Sequence, residues 1–387
     1  MPEYPIASRM DRIEPFHVMA ILAQAQALEA AGRDIIHLEI GEPDFATPAP
    51  IIEAGIAALR AGHTHYTSAL GLPALREAIA GFYGTRWQAD VEPARIVVTP
   101  GASGALLLAL GFLAGPGDEV LMADPGYPCN RHFAQFCNAR AVTIPVDAQQ
   151  GFQLNLDLIE RYASPATRAV LIASPSNPTG TAVSPDELTR IHAWCQARGI
   201  ALIVDEIYLA LTYDGVEHSA ACWNDVFVIN SFSKYFLMTG WRLGWLVAPT
   251  WAMPALERLA QNLFLAPSTP AQHAALAAFS PACLSELETR KMELRARRDF
   301  LLPALRERGF DIPVMPQGAF YVYADCSRIA SDSQTFAHAL LNQAGVAVTP
   351  GIDFGSNKPN RYIRFAYTQP LTRLAEAMLR LDHFLQT

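Results

Sequence analysis

Between about residue 94 and residue 250, short apolar segments alternate with segments that favour helix. The apolar segments are four or five residues long and rich in β-branched residues, as in strands that helices cover on both faces of a sheet. This alternation predicts a mostly parallel α/β domain. The predicted strands are residues 96–99, 120–123, 169–173, 201–204, 226–229 and 243–247.

A smaller second domain is expected beyond this region. After Pro267 the alternation stops, and the basic, helix-favouring stretch 284–308 follows. The helical-looking stretch 18–31 is expected to pack against that smaller domain. The predicted fold is an α/β three-layer sandwich with a smaller α+β domain. The predicted divisions are an N-terminal segment (1–45), a large domain (46–284) and a small C-terminal domain (285–387).

One connecting helix can be bounded from its sequence. Ser184 is a favourable N-cap, Pro185 suits the first helical position, and Glu187 can complete a capping box. Gly199 follows the last turn, where glycine commonly ends a helix. We therefore predict a helix over Pro185–Arg198.

The composition restricts the classes of partner and location. The chain has 387 residues and a formal net charge of -8, so nucleic acid is not an expected partner. The six cysteines show no metal-like spacing, and His63 and His65 lack a companion cysteine or carboxylate, so we predict no metal site. The first residues carry no export signal, and no apolar run is long enough to span a membrane. We expect a cytoplasmic protein with reduced thiols.

The segment 231–242 places Lys234 directly after Ser231 and Ser233, eight residues before Arg242. A lysine that forms a Schiff base must lose its charge, and a phosphate needs hydroxyl and guanidinium donors. The alternative is a surface loop, because lysine is mostly solvated. However, the predicted strands on both sides place Lys234 inside the protein, where a charge is usually functional.

Four further motifs follow predicted strands, and ligands of open α/β sheets collect at the carboxyl ends of strands. The turn 99–104 precedes the helical run 105–113 and offers free N–H groups to an anion. Asn177 lies in the turn 176–180, Asp205 closes a strand ahead of Tyr208, and Tyr127 ends the turn 124–127. Each alone is compatible with an ordinary turn, a helix cap or packing. Their shared position favours a binding site.

Together these motifs resemble those of the class I/II aminotransferases, pyridoxal-phosphate enzymes of fold type I. Their order and spacing match from about Gly41 to Phe365, nearly the whole chain. The resemblance implies transfer of an amino group from an L-amino acid to a 2-oxo acid by a ping-pong aldimine/ketimine mechanism. The matching motifs are Gly101-Ala-Ser103, Tyr127, Asn177-Pro-Thr-Gly180, Asp205-Glu-Ile-Tyr208, Ser231-Phe-Ser-Lys234 and Arg242.

The resemblance implies a role for each matched residue toward pyridoxal 5'-phosphate. Lys234 would form the Schiff base and move the substrate proton, and Asp205 would pair with the pyridine nitrogen. Tyr208 and Asn177 would hydrogen-bond the ring oxygen, while Tyr127 would stack on the ring. The active unit would be a homodimer, because a tyrosine of the neighbouring subunit also reaches the phosphate. The residues implied at the phosphate are Gly101, Ala102, Ser103, Ser231, Ser233, Arg242 and Tyr66 of the partner subunit.

The resemblance also implies how the amino acid is held. Arg364 matches the arginine that clamps the substrate α-carboxylate, and alignment through Phe365 favours it over Arg361. A bidentate arginine both binds and orients a carboxylate. Gly41, through its N–H, and Asn177 would assist.

One position departs from a subgroup of the resembled family that is selective for acidic amino acids. Its members often carry a lysine at the position of Ser103, where it meets the distal carboxylate of the substrate. A carboxylate without such a partner in a closed pocket is strongly disfavoured. Phe16, Tyr127 and Phe320 suggest an apolar or aromatic-tolerant pocket. We therefore expect neutral or aromatic amino acids to be favoured over strictly acidic ones.

Two alternative functions remain open at this stage. A β-eliminating lyase or related synthase on the same fold would use the same Lys234, Asp205 and Arg242. An aminotransferase-like regulatory protein would carry a DNA-binding domain ahead of the fold, whereas about 40 residues precede Gly41. The motifs themselves do not distinguish transamination from elimination.

Overall fold

The computed structural model describes residues 6–386, so the first five residues considered above and Thr387 lie outside the described part. Its strands are β1 (Ile36–His37), β2 (Ile96–Thr99), β3 (Glu119–Asp124), β4 (Arg140–Pro145), β5 (Thr167–Ala173), β6 (Ala201–Asp205), β7 (Phe227–Ser231), β8 (Gly244–Val247), β9 (Tyr321–Asp325), β10 (Val346–Ala347), β11 (Thr349–Pro350) and β12 (Tyr362–Ala366). Its α-helices are α1 (His17–Ala30), α2 (Ala49–Arg60), α3 (Pro73–Trp87), α4 (Gly101–Leu113), α5 (Pro128–Phe136), α6 (Leu156–Tyr162), α7 (Pro185–Arg198), α8 (Met253–Leu263), α9 (Thr269–Leu276), α10 (Pro281–Glu307), α11 (Ser333–Ala344) and α12 (Leu371–Gln386).

The central sheet has seven strands in the order β2-β8-β7-β6-β5-β3-β4. The pairs from β7 to β4 are parallel, whereas β8 runs antiparallel to both β7 and β2. All six predicted strands lie in this sheet, which confirms the predicted fold class. Strand β4 was not predicted, because this edge strand ends in the exposed Arg140 and Pro145 and lacks a continuous apolar run.

Side chains of the central strands pack into two cores on opposite faces of the sheet. In β2, Val98 packs with Leu75 and Ile79 of α3, whereas Val97 packs with Leu106 of α4 and Leu256 of α8. Adjacent strand residues point to opposite faces, so a strand that is apolar at every position needs cover on both. The sheet is therefore the middle layer of three.

Two helix starts show how local sequence sets the fold. Helix α7 confirms the prediction at both ends: Ser184 Oγ accepts the Glu187 N–H at 3.2 Å, and Gly199 adopts φ +63°. Helix α4 begins at Gly101 rather than at the predicted residue 105. Its first turn packs directly under β8, since a Cβ on Gly244 would lie 2.6 Å from the Gly101 carbonyl carbon. The predicted turn is thus the beginning of the helix.

A second sheet forms from the C-terminal part of the chain, where β12 pairs antiparallel with β9 and β11. The N-terminal β1 pairs in parallel with β10, and Ile21 and Ala25 of α1 pack against Leu341 of α11. The long helix α10 begins at Pro281, close to the predicted boundary. The division of the chain at residues 45 and 284 stays a prediction. Of the helices within residues 6–386, none combines the length and apolarity that crossing a membrane requires.

Candidate active site

A cavity of about 250 Å³ lies at the carboxyl ends of the central strands. The ends of β5, β6 and β7 lead directly into it, which is where open α/β sheets bind ligands. Its wall combines charged and polar groups with an apolar patch. The described lining residues are Phe16, Val18, Met19, Ile40, Gly41, Glu42, Ala102, Ser103, Leu106, Tyr127, Ala173, Pro175, Asn177, Asp205, Ile207, Tyr208, Ser233, Lys234, Thr239, Arg242, Tyr321 and Arg364.

Lys234 follows β7 and points into this cavity. Its Nζ donates a hydrogen bond to the Gly41 carbonyl oxygen at 2.8 Å. Burial lowers the pKa of Lys234 to about 8, and the positive charges of Arg364 and Arg242 act in the same direction, opposed by Glu42. A lysine with this pKa has an appreciable neutral fraction near neutral pH, as a nucleophilic amine requires.

Asp205 ends β6 on the wall of the same cavity. Burial raises the pKa of Asp205 to about 6, against the effect of the Ile207 N–H, which donates to Oδ1 at 3.1 Å, and of the Lys234 charge. A buried carboxylate of this kind is stabilised by a cationic partner. Asp205 is therefore suited to hold a protonated ring nitrogen.

Three aromatic hydroxyls lie near these two groups. The hydroxyl oxygens of Tyr208 and Tyr321 are 2.9 Å apart and share a hydrogen bond. Tyr127 lines the cavity, and its ring meets the edge of Phe16 with centroids 6.3 Å apart. The cavity thus offers ring faces and hydroxyl donors on one side of the lysine.

The start of α4 and Arg242 form a pocket for an anion. A Cβ on Gly101 would lie 2.6 Å from an Arg242 guanidinium nitrogen, so only glycine lets the guanidinium approach the helix start this closely. The Ser231 Oγ donates to the Ser233 Oγ at 3.0 Å beside them. Pro100, at the N-cap, has no side-chain acceptor, so the first N–H groups of α4 are available to a ligand. The donors and the positive charge fit a phosphate.

Arg364 lies at the opposite side of the cavity, on β12. Its Nη1 donates to Asn177 Oδ1 at 2.8 Å, and its Nη2 donates to the Glu39 carbonyl oxygen and, at 3.3 Å, to Thr349 Oγ1. The guanidinium carbon stands 4.3 Å from the centroid of the Tyr321 ring. These contacts fix the plane of the guanidinium, which is the condition for gripping a carboxylate in one orientation.

Arg364 and Arg361, the two candidates for binding the substrate α-carboxylate, lie in different environments. Arg364 is buried and lines the cavity, whereas the Arg361 side chain is 48% exposed and pairs with Asp325. Gly41 also lies on the cavity wall, and a Cβ there would fall 2.0 Å from the Tyr321 hydroxyl oxygen. Glycine at residue 41 is thus required for the approach of Tyr321.

Most of the predicted site residues meet at this one cavity, with three kinds of exception. Gly101 and Ser231 lie directly behind its wall, and Tyr66 is 81% exposed on the surface. Phe320 is not among the described lining residues: its ring stands perpendicular to that of Tyr208, with its centroid 5.8 Å from Lys234 Nζ, and its neighbour Tyr321 lines the cavity. Adjacent residues at a strand start point to opposite sides, and the aromatic pair alone did not show which one faces inward.

Several residues of the cavity wall were not predicted from the sequence. Glu42 accepts a hydrogen bond from the Thr239 hydroxyl at its mouth. Val18 and Met19 approach it from the start of α1. Glu42 could have been predicted from the sequence, because it directly follows Gly41, a predicted substrate-binding residue. The contacts of α1 depend on tertiary packing, which no local pattern reveals.

The site and fold agree with those of known proteins. A family model described as aminotransferase class I and II matches residues 33–380. The valine–pyruvate aminotransferase of Mycobacterium tuberculosis is 39% identical over 376 residues, with 96% of this chain and 97% of that protein covered. The (5-formylfuran-3-yl)methyl phosphate transaminase of Methanocaldococcus jannaschii is 38% identical, with 98% and 99% covered. A crystal structure of an aminotransferase from Mycobacterium tuberculosis matches with a TM-score of 0.95 and 38% identity, covering 99% of this chain and 100% of that one.

These matches extend over nearly the full length of both partners, and they include sequence identity as well as shape. They confirm the resemblance that the motifs indicated. The family depends on pyridoxal 5'-phosphate, and the named relatives are aminotransferases. This chain therefore belongs to the class I and II aminotransferases and is a pyridoxal-phosphate-dependent, amino-group-transferring enzyme.

Proposed function

We propose that this aminotransferase moves the amino group of a neutral or aromatic L-amino acid to a 2-oxo acid. The observation that supports this proposal is the set of charged side chains on the cavity wall. Among its described lining residues the lysine and arginine side chains are Lys234, Arg242 and Arg364. We assign each of them to the cofactor or to the α-carboxylate. A carboxylate on the substrate side chain would meet apolar groups instead, and its desolvation would not be offset.

The apolar part of the wall surrounds the space that remains. Burying an aliphatic or aromatic side chain against such a wall stabilises the complex by about 1.5–3 kcal/mol. The Glu42 carboxylate at the mouth adds a negative charge that further disfavours acidic substrates. The larger apolar lining residues are Phe16, Val18, Met19, Ile40, Leu106 and Ile207.

The described residues fit pyridoxal 5'-phosphate. Arg242 and the cradle at Gly101 suit the phosphate, Asp205 suits the pyridine nitrogen, and Lys234 suits the aldehyde carbon. When bound, the cofactor supplies an electron sink that stabilises negative charge on the substrate α-carbon. Asp205 would keep the ring nitrogen protonated, which increases the electron demand of the ring.

The chain's own groups would orient the substrate and move its proton. Arg364 would bind the α-carboxylate in a bidentate manner, and the Asn177 amide beside it would hold that guanidinium in place. The Lys234 amine would then remove the proton from the substrate α-carbon. It would deliver this proton to a different carbon atom, the one on the cofactor side. Positioned acid–base groups of this kind contribute about 10²–10⁴-fold to rates.

The pKa of Lys234 leads to a pH prediction for the enzyme freed of its cofactor. Because the pKa is lowered to about 8, the neutral and nucleophilic amine becomes dominant only above that pH. The rate of reaction with added pyridoxal phosphate is expected to rise as pH increases from 6 to 9 and to level off beyond. Stopped-flow absorbance would measure it. A rate that keeps rising steeply above pH 9, as for an ordinary lysine, would contradict the lowered pKa.

A panel of single amino acids tests the proposed substrate class directly. The purified holoenzyme would be mixed with L-valine, L-leucine, L-phenylalanine, L-aspartate and L-glutamate, each with and without pyruvate as acceptor. We expect the neutral and aromatic donors to give alanine only when pyruvate is present. A clear preference for aspartate would reject the substrate class. Release of ammonia and an oxo acid without acceptor would indicate elimination instead.

Ser103 offers a way to change the preference for acidic substrates. It lines the cavity near Arg242, where a lysine could meet a distal carboxylate. Ser103→Lys is expected to raise kcat/KM for aspartate relative to leucine by roughly tenfold, because one charge-assisted bond contributes about 1.5–3 kcal/mol. Ser103→Met, similar in length but uncharged, is the matched control. An equal response to both variants would show that charge is not the cause.

We also propose that the active unit is a homodimer. Tyr66 is 81% exposed on one chain and lies outside the cavity, as suits a residue that serves a partner subunit. Light scattering should give twice the mass of one chain, and Tyr66→Phe should weaken cofactor binding several-fold through loss of a hydrogen bond. A monomer with full activity would reject this arrangement.

A cytoplasmic location is proposed as well. All six cysteines are free, and three of them are buried, which fits a reducing compartment. Cell fractionation with a tagged chain would test it, and recovery in an oxidising compartment would count against it.

A further inference from the structure

Helix α1 begins beside the cavity with a cap that comes from a distant part of the chain. Its N-cap residue is Phe16, whose side chain cannot accept a hydrogen bond. Asp353 takes that role: the His17 N–H donates to Asp353 Oδ1 at 2.7 Å, and the Val18 N–H also faces this carboxylate. A carboxylate at a helix start satisfies free N–H groups and interacts favourably with the helix dipole.

The capped end of α1 forms part of the apolar wall. Phe16, Val18 and Met19 all line the cavity, and the Phe16 ring meets Tyr127 edge-on. All three residues belong to the N-cap and first turn of α1. The position of the wall therefore depends on how firmly the first turn of α1 is held.

The segment that carries Asp353 also supports the substrate-binding arginine. Thr349 Oγ1 accepts a hydrogen bond from Arg364 Nη2 at 3.3 Å, and the Phe354 ring centroid lies 4.9 Å from the Arg364 guanidinium carbon. Asp353 lies between these two contacts in the chain. One short segment, residues 349–354, thus holds both the arginine and the start of α1.

The Asp353 carboxylate that caps α1 is itself buried. Asp353 is 1% exposed, and its Oδ2 has no hydrogen-bond partner among residues 6–386. Burial raises the pKa of Asp353, which reflects the cost of keeping the charge there. The Arg364 charge and the N–H groups of His17 and Val18 offset part of this cost.

We propose that Asp353 is a positioning residue for side-chain specificity. By capping α1 it holds Phe16, Val18 and Met19 at a fixed distance from Arg364, so that the α-carboxylate and an apolar side chain are recognised together. Asp353 itself acts through α1 and does not contact the reacting atoms. This inference rests on the proposed preference for neutral or aromatic amino acids.

The test compares Asp353→Ala holoenzyme with wild type in the half-reaction with L-alanine, L-leucine and L-phenylalanine. Loss of the cap is expected to lower kcat/KM for leucine and phenylalanine roughly fivefold, mainly through KM, in line with the usual cost of losing a helix cap. L-alanine, too small to reach the wall, should change less than about twofold. Asp353→Asn keeps an acceptor oxygen and should restore most of the selectivity.

A second variant removes the donor instead of the acceptor. His17→Pro deletes the N–H that Asp353 accepts, and proline is well tolerated at the first position of a helix. Because the Val18 N–H still faces Asp353, it should give a smaller selectivity change in the same direction as Asp353→Ala. This variant decides the question if Asp353→Ala does not fold.

Asp332→Ala is the matched control for a general loss of stability. Asp332 caps α11 by accepting the Thr335 N–H at 2.7 Å, on the same part of the molecule but away from the cavity. It should lower thermal stability without changing the ratio of kcat/KM between phenylalanine and alanine. Hydrogen–deuterium exchange gives a readout that does not depend on activity. Residues 17–25 should exchange faster in Asp353→Ala than in wild type, Asp353→Asn or Asp332→Ala.

The outcomes separate this inference from the proposed function. Equal losses on all three amino acids, the same selectivity change in Asp332→Ala, or unchanged exchange of residues 17–25 would overturn the role of Asp353. If wild type accepts none of the three amino acids, the proposed substrate class fails and the specificity role fails with it. The exchange experiment still reports whether Asp353 caps α1 in that case.

Discussion

Lys234→Ala is expected to lower turnover by at least about 10³-fold while the protein stays folded. Lys234 provides both the amine that bonds to the cofactor and the base that moves the substrate proton, and acid–base catalysis alone contributes about 10²–10⁴-fold. The cofactor should still bind without a covalent bond, since Arg242 and the start of α4 remain. Steady-state rates with the best donor of the amino-acid panel would measure the loss.

Borohydride trapping gives a readout of the same variant that is independent of turnover. Reduction should fix the cofactor mass on the peptide that contains Lys234 in wild type and leave that peptide unlabelled in Lys234→Ala. Lys291→Ala is the control, because Lys291 is also buried but pairs with Glu217 at 2.7 Å, outside the described wall of the cavity. It should lose stability and keep its labelling and turnover. Labelling of a different lysine would contradict the assignment.

Arg364→Ala is expected to lower kcat/KM for every amino-acid substrate by about 10²–10³-fold. Removing one partner of a buried, charge-assisted contact costs roughly 2–5 kcal/mol. The loss should appear in KM and in kcat, because the guanidinium also orients the bond that breaks. Affinity for the cofactor should stay near its wild-type value, which distinguishes this variant from Lys234→Ala.

Arg361→Ala is the comparison that makes this prediction specific. Arg361 lies three residues earlier, and its half-exposed side chain pairs with Asp325. Arg361 lies outside the described wall of the cavity, so Arg361→Ala should change kcat/KM little, although stability should fall because the buried Asp325 loses its partner. Kinetics of both variants with the same donor would decide between the two arginines. If Arg361→Ala is the more damaging change, the assignment of the carboxylate site is wrong.

The central sheet was predictable because its strands are short, apolar on both faces and separated by helical sequence. The helix Pro185–Arg198 was predictable to the residue, since Ser184 and Gly199 carry the local chemistry of helix ends. The edge strand β4 was not, because an exposed strand with polar ends has no buried face to leave a pattern. Local rules therefore describe elements whose ends or burial are encoded nearby.

The site divides along the same lines. Residues at strand ends, such as Asp205 and Asn177, could be grouped from the sequence alone, because parallel strands bring their carboxyl ends together. Tyr321 and the start of α1 reach the cavity only through contacts between distant parts of the chain. Tyr321 was not singled out beside Phe320, because two adjacent aromatic residues give no indication of which one turns inward.

The pairing of β1 with β10 has a consequence for the order in which this enzyme is made. Ile36 lies opposite Val346, so an early part of the chain finds its partner only after most of the polypeptide has been synthesised. Gly41 follows β1 closely, and Arg364 follows β10. The central sheet and the segment that carries Lys234 can form while the chain is still being synthesised. The substrate-binding part of the cavity is completed only after β1 has paired with β10.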